Sequence, residues 1–273
     1  MPSLSEYCRK LYLKYDSKGF VPLIKHISRY LHEKAVANSP IFKARSYARF
    51  LTQRMKYESP ADPQKLIWVN PGDIKYSNTA VNQRKGLGQV LSGDWDNKKT
   101  QWRDSWRYTG LKQRFVHDFE WEETLYVEKY QEKIEEEGYA GGCSSIDEFL
   151  KNRCPYLDEL YHEMSTNGYT LASERSASEG TRLEKSRRRT WKDDLEPFAS
   201  ITRGGEIHVN EGTHRRAIAE FAGVESVPLN VLVRHEKWQR IRDEFAVADS
   251  PTTVPDEMQQ YVDHPDLQDI VES

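Results

Sequence analysis

Along the chain, helical and extended patterning alternate with stretches that have neither. Apolar residues recur at helical spacing from Leu4 to Met55, as in Ile24, Ile27 and Leu31 and then Tyr47, Phe50 and Leu51, and Ser39-Pro40 predicts a break between two helices. Glu58 to Pro63 holds two prolines among polar residues and reads as a linker. Ile67 to Ile74 predicts a strand, whereas Tyr76 to Gln113, rich in Gly, Asn, Asp and Trp without a period, reads as a long structured loop region. Glu122 to Glu137 predicts a helix stopped by Gly138. Ser145 to Glu148 is a capping box that opens a second, and Pro155 suits the first turn of a third that ends at Gly168. Ser173 to Lys192 is polar and basic with no apolar period and reads as a loop.

The last third is the most regular. Phe198 to Arg203 and Glu206 to Asn210 predict two strands joined at Gly204-Gly205 by a two-residue turn of positive φ. Thr213 to Ala222 predicts a helix with Ala217, Ile218, Phe221 and Ala222 on one face and Gly223 as its left-handed stop. Val227 to Val233 predicts a further strand. This order of elements predicts a mixed α/β (α+β) fold. A basic helical extension and linker occupies residues 1–62, a core occupies 63–245 with an inserted segment at about 76–155, and an acidic tail occupies 246–273.

The join between the second hairpin strand and the following helix carries the clearest chemistry. Amides at a helix start have no intrahelical partner and lie at the positive end of the helix dipole, so an anion is held there by main chain and side chain together. Asn210, Gly212, Thr213, His214 and Arg215 therefore form a candidate phosphate site. The competing reading is that His214 and Arg215 only cap the helix and pair with surface carboxylates.

A hairpin, Gly-Thr-His-Arg at 212–215, an alanine-rich helix ending at Gly223, and then Val227-Pro228 with a β-branched strand resemble the core of the ParB/sulfiredoxin superfamily, the ParB N-terminal-like nuclease and nucleotide-binding domain. Upstream, Ile67 to Ile74 resembles that family's opening strand, and Leu160 to Tyr169 its helix before the hairpin. The resemblance implies a sheet-and-helix core, a nucleotide-phosphate site at Gly212, His214 and Arg215, and phosphoryl transfer or nucleotide hydrolysis with ATP or CTP and Mg²⁺. Two residues depart from the pattern. Thr213 stands where sulfiredoxins carry their catalytic cysteine, which argues against peroxiredoxin repair, and His214 stands where ParB proteins usually have arginine. The segment after Val233 is acidic and lacks a helix-turn-helix pattern.

Charge alters this picture only locally. With 30% charged residues and a net charge of −3 the chain is not a globally basic nucleic-acid binder. Basic residues nevertheless outnumber acidic ones several-fold before Lys56, while beyond Arg242 there is no Lys or Arg, an asymmetry that suggests an interaction face or a head-to-tail attraction. Lys43, Arg45, Arg49, Arg54 and Lys56 lie along the second N-terminal helix, either as a solvated face or in contact with nucleic acid or an anionic membrane surface. Neither a signal peptide nor a membrane-spanning run is present, so a cytoplasmic protein is expected. Cys8, Cys143 and Cys154 form no CxxC pair and encode neither a disulfide framework nor a zinc site.

Three further groups are candidates. Asp94 and Asp96, two apart beside Gly93, could hold a divalent cation with nucleotide phosphates. Glu122, Glu123 and His235 could supply a general base, the first two beside Trp121 and the last at a strand end. Arg187, Arg188 and Arg189, in the basic 185–192 run with Trp191, could neutralise phosphates of DNA. The leading expectation is thus nucleotide binding with possible turnover. A non-catalytic DNA-associated nucleotide-binding module is the alternative, with DNA held by the basic N-terminal helices or the 185–192 loop. A glycosyltransferase-like enzyme using Asp94 and Asp96 is the third.

Overall fold

The computed structural model describes residues 41–81, 86–174 and 195–272, which fall into two compact units. A sheet unit comprises residues 41–81, 86–102, 195–216 and 224–272, and a helical unit comprises residues 103–174 and 217–223. The first of the two expected N-terminal helices, and Arg187, Arg188 and Arg189, lie outside the described residues.

The mixed sheet has seven strands among the described residues: β1 (Leu66–Val69), β2 (Tyr76–Ser77), β3 (Gln89–Leu91), β4 (Thr100–Gln101), β5 (Phe198–Ile201), β6 (Ile207–Val209) and β7 (Val227–His235). Their order is β1-β7-β5-β6-β2-β4, with β3 also on β7. β7 is the spine. It pairs antiparallel with β1 and parallel with β5 and β3, and all of its residues are buried. A strand enclosed in this way reads as a run of apolar residues rather than as an alternation. The stretch read as a long loop after Tyr76 instead contributes β2, β3 and β4. Each is two or three residues long, too short for a period to show, and β2 and β3 join partners remote in sequence, as in Tyr76↔His208 and Gln89↔Val233. Before β1 lies helix α1 (Ile41–Gln53); the break expected at Ser39-Pro40 lies outside the described residues.

The helical unit is built from α2 (Trp106–His117), α3 (Leu125–Glu137) and α4 (Ile146–Asn167). Ser105, Thr124 and Ser145 accept backbone N–H groups as their respective caps, and Gly138 closes α3 in the left-handed conformation. The expected break at Pro155 does not occur, and α4 is one helix of 22 residues. An interior proline forfeits one backbone bond and costs about 3 kcal/mol. Phe149, Cys154, Leu157, Leu160 and Met164 are buried on both sides of it, and that burial outweighs the loss.

The β5–β6 connection also differs from expectation. Thr202 N–H donates to the Glu206 carbonyl at 3.0 Å, Gly205 N–H donates to the Thr202 carbonyl at 3.2 Å, and of the two glycines only Gly205 has positive φ, 83°. This is a three-residue loop with a glycine bulge rather than a two-residue turn. A Cβ on Gly205 would lie 2.6 Å from the Trp238 ring, so packing as well as φ demands glycine. The extra residue carries Arg203 off the ladder.

α5 (Thr213–Phe221) and the left-handed Gly223 fall where the sequence places them. α6 (Glu236–Val247) follows β7 directly. The acidic tail, poor in helical pattern, nonetheless forms a 3₁₀ turn at Asp256–Tyr261 and α7 (Gln268–Val271), with Asp266 and Leu267 fully buried. The Asp266 carboxylate accepts Arg234 Nη2 at 2.6 Å, Arg234 Nε at 2.9 Å and Trp238 Nε1 at 2.9 Å. Buried Arg242 bonds the Asp266 carbonyl and the Asp269 carboxylate, the latter at 2.9 Å. Among the described residues, no helix is long and apolar enough to cross a membrane.

Candidate phosphate site

β6 runs through Asn210, Glu211 and Gly212 into α5. The first helical bond runs from Arg216 N–H to the Gly212 carbonyl at 3.2 Å, so the amides of residues 213–215 lie ahead of it at the positive end of the helix. Gly212 has φ 83°, and a Cβ there would meet Pro197 Cβ at 2.4 Å. The glycine therefore serves the packing of the turn whether or not a ligand approaches it. Asn210 fixes the loop: its N–H donates to Phe198 O at 2.7 Å and its Nδ2 donates to Asn78 O at 2.7 Å. Asn78 in turn donates its N–H to Val209 O and its Nδ2 to Trp95 O.

Thr213, His214 and Arg215 are half-buried at the helix start. Arg215 Nη1 lies 3.4 Å from the carboxylate of Glu196, a buried acid whose own N–H donates to Asn230 Oδ1. Sequence reasoning missed Glu196, and no local pattern marks it. Arg216 is a structural residue. It is buried with its guanidinium 4.2 Å from the Trp102 ring centroid and donates to the Ile74 carbonyl.

Arg203 occupies both of the carboxylates proposed for a cation. Its Nε and Nη2 reach Asp96 at 2.8 and 2.6 Å, its Nη2 reaches Asp94 at 2.8 Å, and its backbone N–H adds a bond to Asp96 at 3.1 Å. These hydrogen bonds from Arg203 outweigh burial and hold the Asp96 pKa down at about 2. A divalent ion would have to displace a bidentate guanidinium, so this donor set does not fit Mg²⁺ as it stands. No group of three His, Cys, Asp or Glu side chains suited to a metal occurs among the described residues.

The proposed general bases have structural partners. His235 caps α6: its Nδ1 accepts Lys237 N–H at 3.1 Å, which leaves Nε2 to donate to the Gly93 carbonyl at 2.9 Å. Glu122 and Glu123 are exposed on a 3₁₀ turn, where the Glu123 carboxylate accepts the Glu120 N–H in a capping box. These two belong to the helical unit, whereas His235, Asp94 and Asp96 belong to the sheet unit. Burial pushes the Cys143 thiol up to about 11 and raises that of Cys154 as well, away from reactivity.

A second group absent from the sequence reading is His208. It is fully buried on β6, its Nε2 is 2.8 Å from Glu206, and Glu206 also holds Lys99 at 2.7 Å. Burial lowers the His208 pKa against the opposing pull of Glu206. The two-residue spacing of Glu206 and His208 within a strand was the available signal.

No protein-family model matches this chain, and no curated protein or solved structure matches it either.

Proposed function

We propose that the turn from β6 into α5 binds the phosphate of a nucleotide, as the resemblance to the ParB/sulfiredoxin superfamily implies. The observation that carries this reading is the strand, the left-handed Gly212 and the helix start with Arg215 in its first turn. His214 and Arg215 would neutralise the phosphate while the amides of residues 213–215 hold its oxygens. The phosphate would compete with Glu196 for Arg215, and the long 3.4 Å contact makes that exchange feasible. ATP and CTP are the first ligands to test. With Asp94 and Asp96 committed to Arg203, the geometry favours binding over catalysis, and no step is assigned to Mg²⁺ or to the exposed Glu122 and Glu123.

Calorimetric titration with ATP, CTP and GTP, with Mg²⁺ present, tests the reading. Saturable binding by the wild type that is lost in a folded His214→Ala/Arg215→Ala variant is expected. Equal binding by the variant, or none by the wild type, would reduce the motif to a helix cap. Gly212 is a poor probe, because replacing it collides with Pro197.

A further inference from the structure

Helix α1 has two unlike faces. Phe42 and Ser46 are buried, Ser46 Oγ accepts the Leu87 N–H at 2.9 Å, Arg49 Nη1 donates to the Leu87 carbonyl at 3.1 Å, and Gln53 Nε2 donates to the Gly88 carbonyl at 3.0 Å. This face is fixed to residues 86–88. On the opposite side Tyr47 and Leu51, and Met55 in the turn that follows the helix, are 57%, 47% and 89% exposed. Ala44 and Ala48 are exposed between them. Exposed Lys43 and Arg54 border this strip on one side and Arg45 on the other. These three make no ion pair with a described residue, and no Asp or Glu occurs from residue 41 to residue 57. Lys56 is taken by Glu236 at 3.2 Å.

We propose that this outward face of α1 docks on an anionic phospholipid bilayer. Tyr47, Leu51 and Met55 enter the boundary between headgroups and acyl chains, and the stems of Lys43, Arg45 and Arg54 lie along the surface with their charges at lipid phosphates and carboxylates. Charge complementarity selects the anionic leaflet, and the apolar strip selects lipid over nucleic acid. A phosphate backbone would use the three cations but leave Leu51 and Met55 with nothing to do.

The test is co-sedimentation of the full chain with phosphatidylcholine vesicles, with and without phosphatidylserine. Two variants accompany it, Leu51→Ser/Met55→Ser and Lys43→Gln/Arg45→Gln/Arg54→Gln. All five positions are exposed, and far-UV circular dichroism checks that both variants fold. Binding only to the phosphatidylserine vesicles is expected. Removing three surface cations should weaken it on the order of a hundredfold. The serine variant should lose at least about tenfold, since two apolar side chains no longer leave water. Absence of sedimentation, equal binding to pure phosphatidylcholine, or wild-type binding by the serine variant overturns the proposal. So does duplex DNA that strips the chain from vesicles while binding the serine variant as tightly as the wild type, because the face would then read phosphate backbone.

Discussion

Replacing Asp266 by alanine tests the internal electrostatics of the sheet unit most sharply. The substitution removes the acceptor of three Arg234 bonds and of the Trp238 N–H, and leaves the Arg234 and Arg242 guanidiniums buried, with Asp269 as the remaining carboxylate on Arg242. Breaking a buried pair by deleting one partner costs about 3–5 kcal/mol, because the surviving charge keeps its desolvation penalty. The orphaned indole N–H adds to this, though not independently. A loss of about 4 kcal/mol follows, which for a chain of this size lowers the melting temperature on the order of 10 °C. Asp266→Asn keeps an acceptor for Trp238 and should cost less, while Asp263→Ala, at an exposed position, should stay within about 0.5 kcal/mol. Amide exchange of β7 is the right assay, because it reports opening of the sheet unit whether or not the helical unit opens with it. A loss below about 1 kcal/mol at the β7 amides would refute the reasoning, since it would mean that water already reaches both guanidiniums.

Acidification should destabilise the protein in two steps. Burial lowers the pKa of His208 and His264 from 6.5, so the stability tied to their neutral forms is complete above about pH 6.5 and falls as pH drops towards the folded values. Asp96 is held at about 2, and at Asp266 the two arginines outweigh the burial penalty and hold the carboxyl below its usual range. Their contribution is present above 3.8 and lost as pH falls below it. Urea midpoints that stay flat between about pH 7 and pH 5 would contradict the first step, which His208→Gln should diminish. Gly212→Ala should cost on the order of 1–3 kcal/mol in a thermal melt, from strain at φ 83° and the collision with Pro197. Arg203→Ala should raise the Asp96 pKa from about 2 towards ordinary carboxylate values, visible by NMR titration, and should tighten Mg²⁺ binding at Asp94 and Asp96 relative to the wild type.

Signals that lie close together in sequence were readable. α5 follows from its apolar face, Gly212 and Gly223, and α3 from Gly138, because cap, period and stop all fall within a few residues. What failed has remote partners or competing energies. β2, β3 and β4 are shorter than any alternation can reveal, and β2 and β3 pair with β6 and β7 more than a hundred positions away. Arg203 stands 107 positions from Asp96, so nothing beside Asp94 or Asp96 announces that a guanidinium holds them. Pro155 is a local stop signal overridden by burial along α4, and Asp266 looks like its solvated neighbours until the fold encloses it.

The near-neutral charge of the chain conceals how the sheet unit uses it. Arg203 is held by Asp94 and Asp96, Arg215 by Glu196, Arg234 and Arg242 by Asp266 and Asp269, and Lys99 by Glu206. An incoming ion at either predicted site therefore has to exchange with a resident partner. The two exchanges differ in difficulty. The Arg215 Nη1–Glu196 contact is 3.4 Å long, whereas Arg203 holds Asp96 through bonds of 2.6 and 2.8 Å in a bidentate fork. A phosphate arriving at α5 thus displaces the weaker partner, and Glu196→Gln should tighten nucleotide binding several-fold by removing the competitor. Unchanged or weaker affinity in that variant, measured by the same calorimetric titration, would place the ligand away from Arg215 and show that Glu196 does not compete for it.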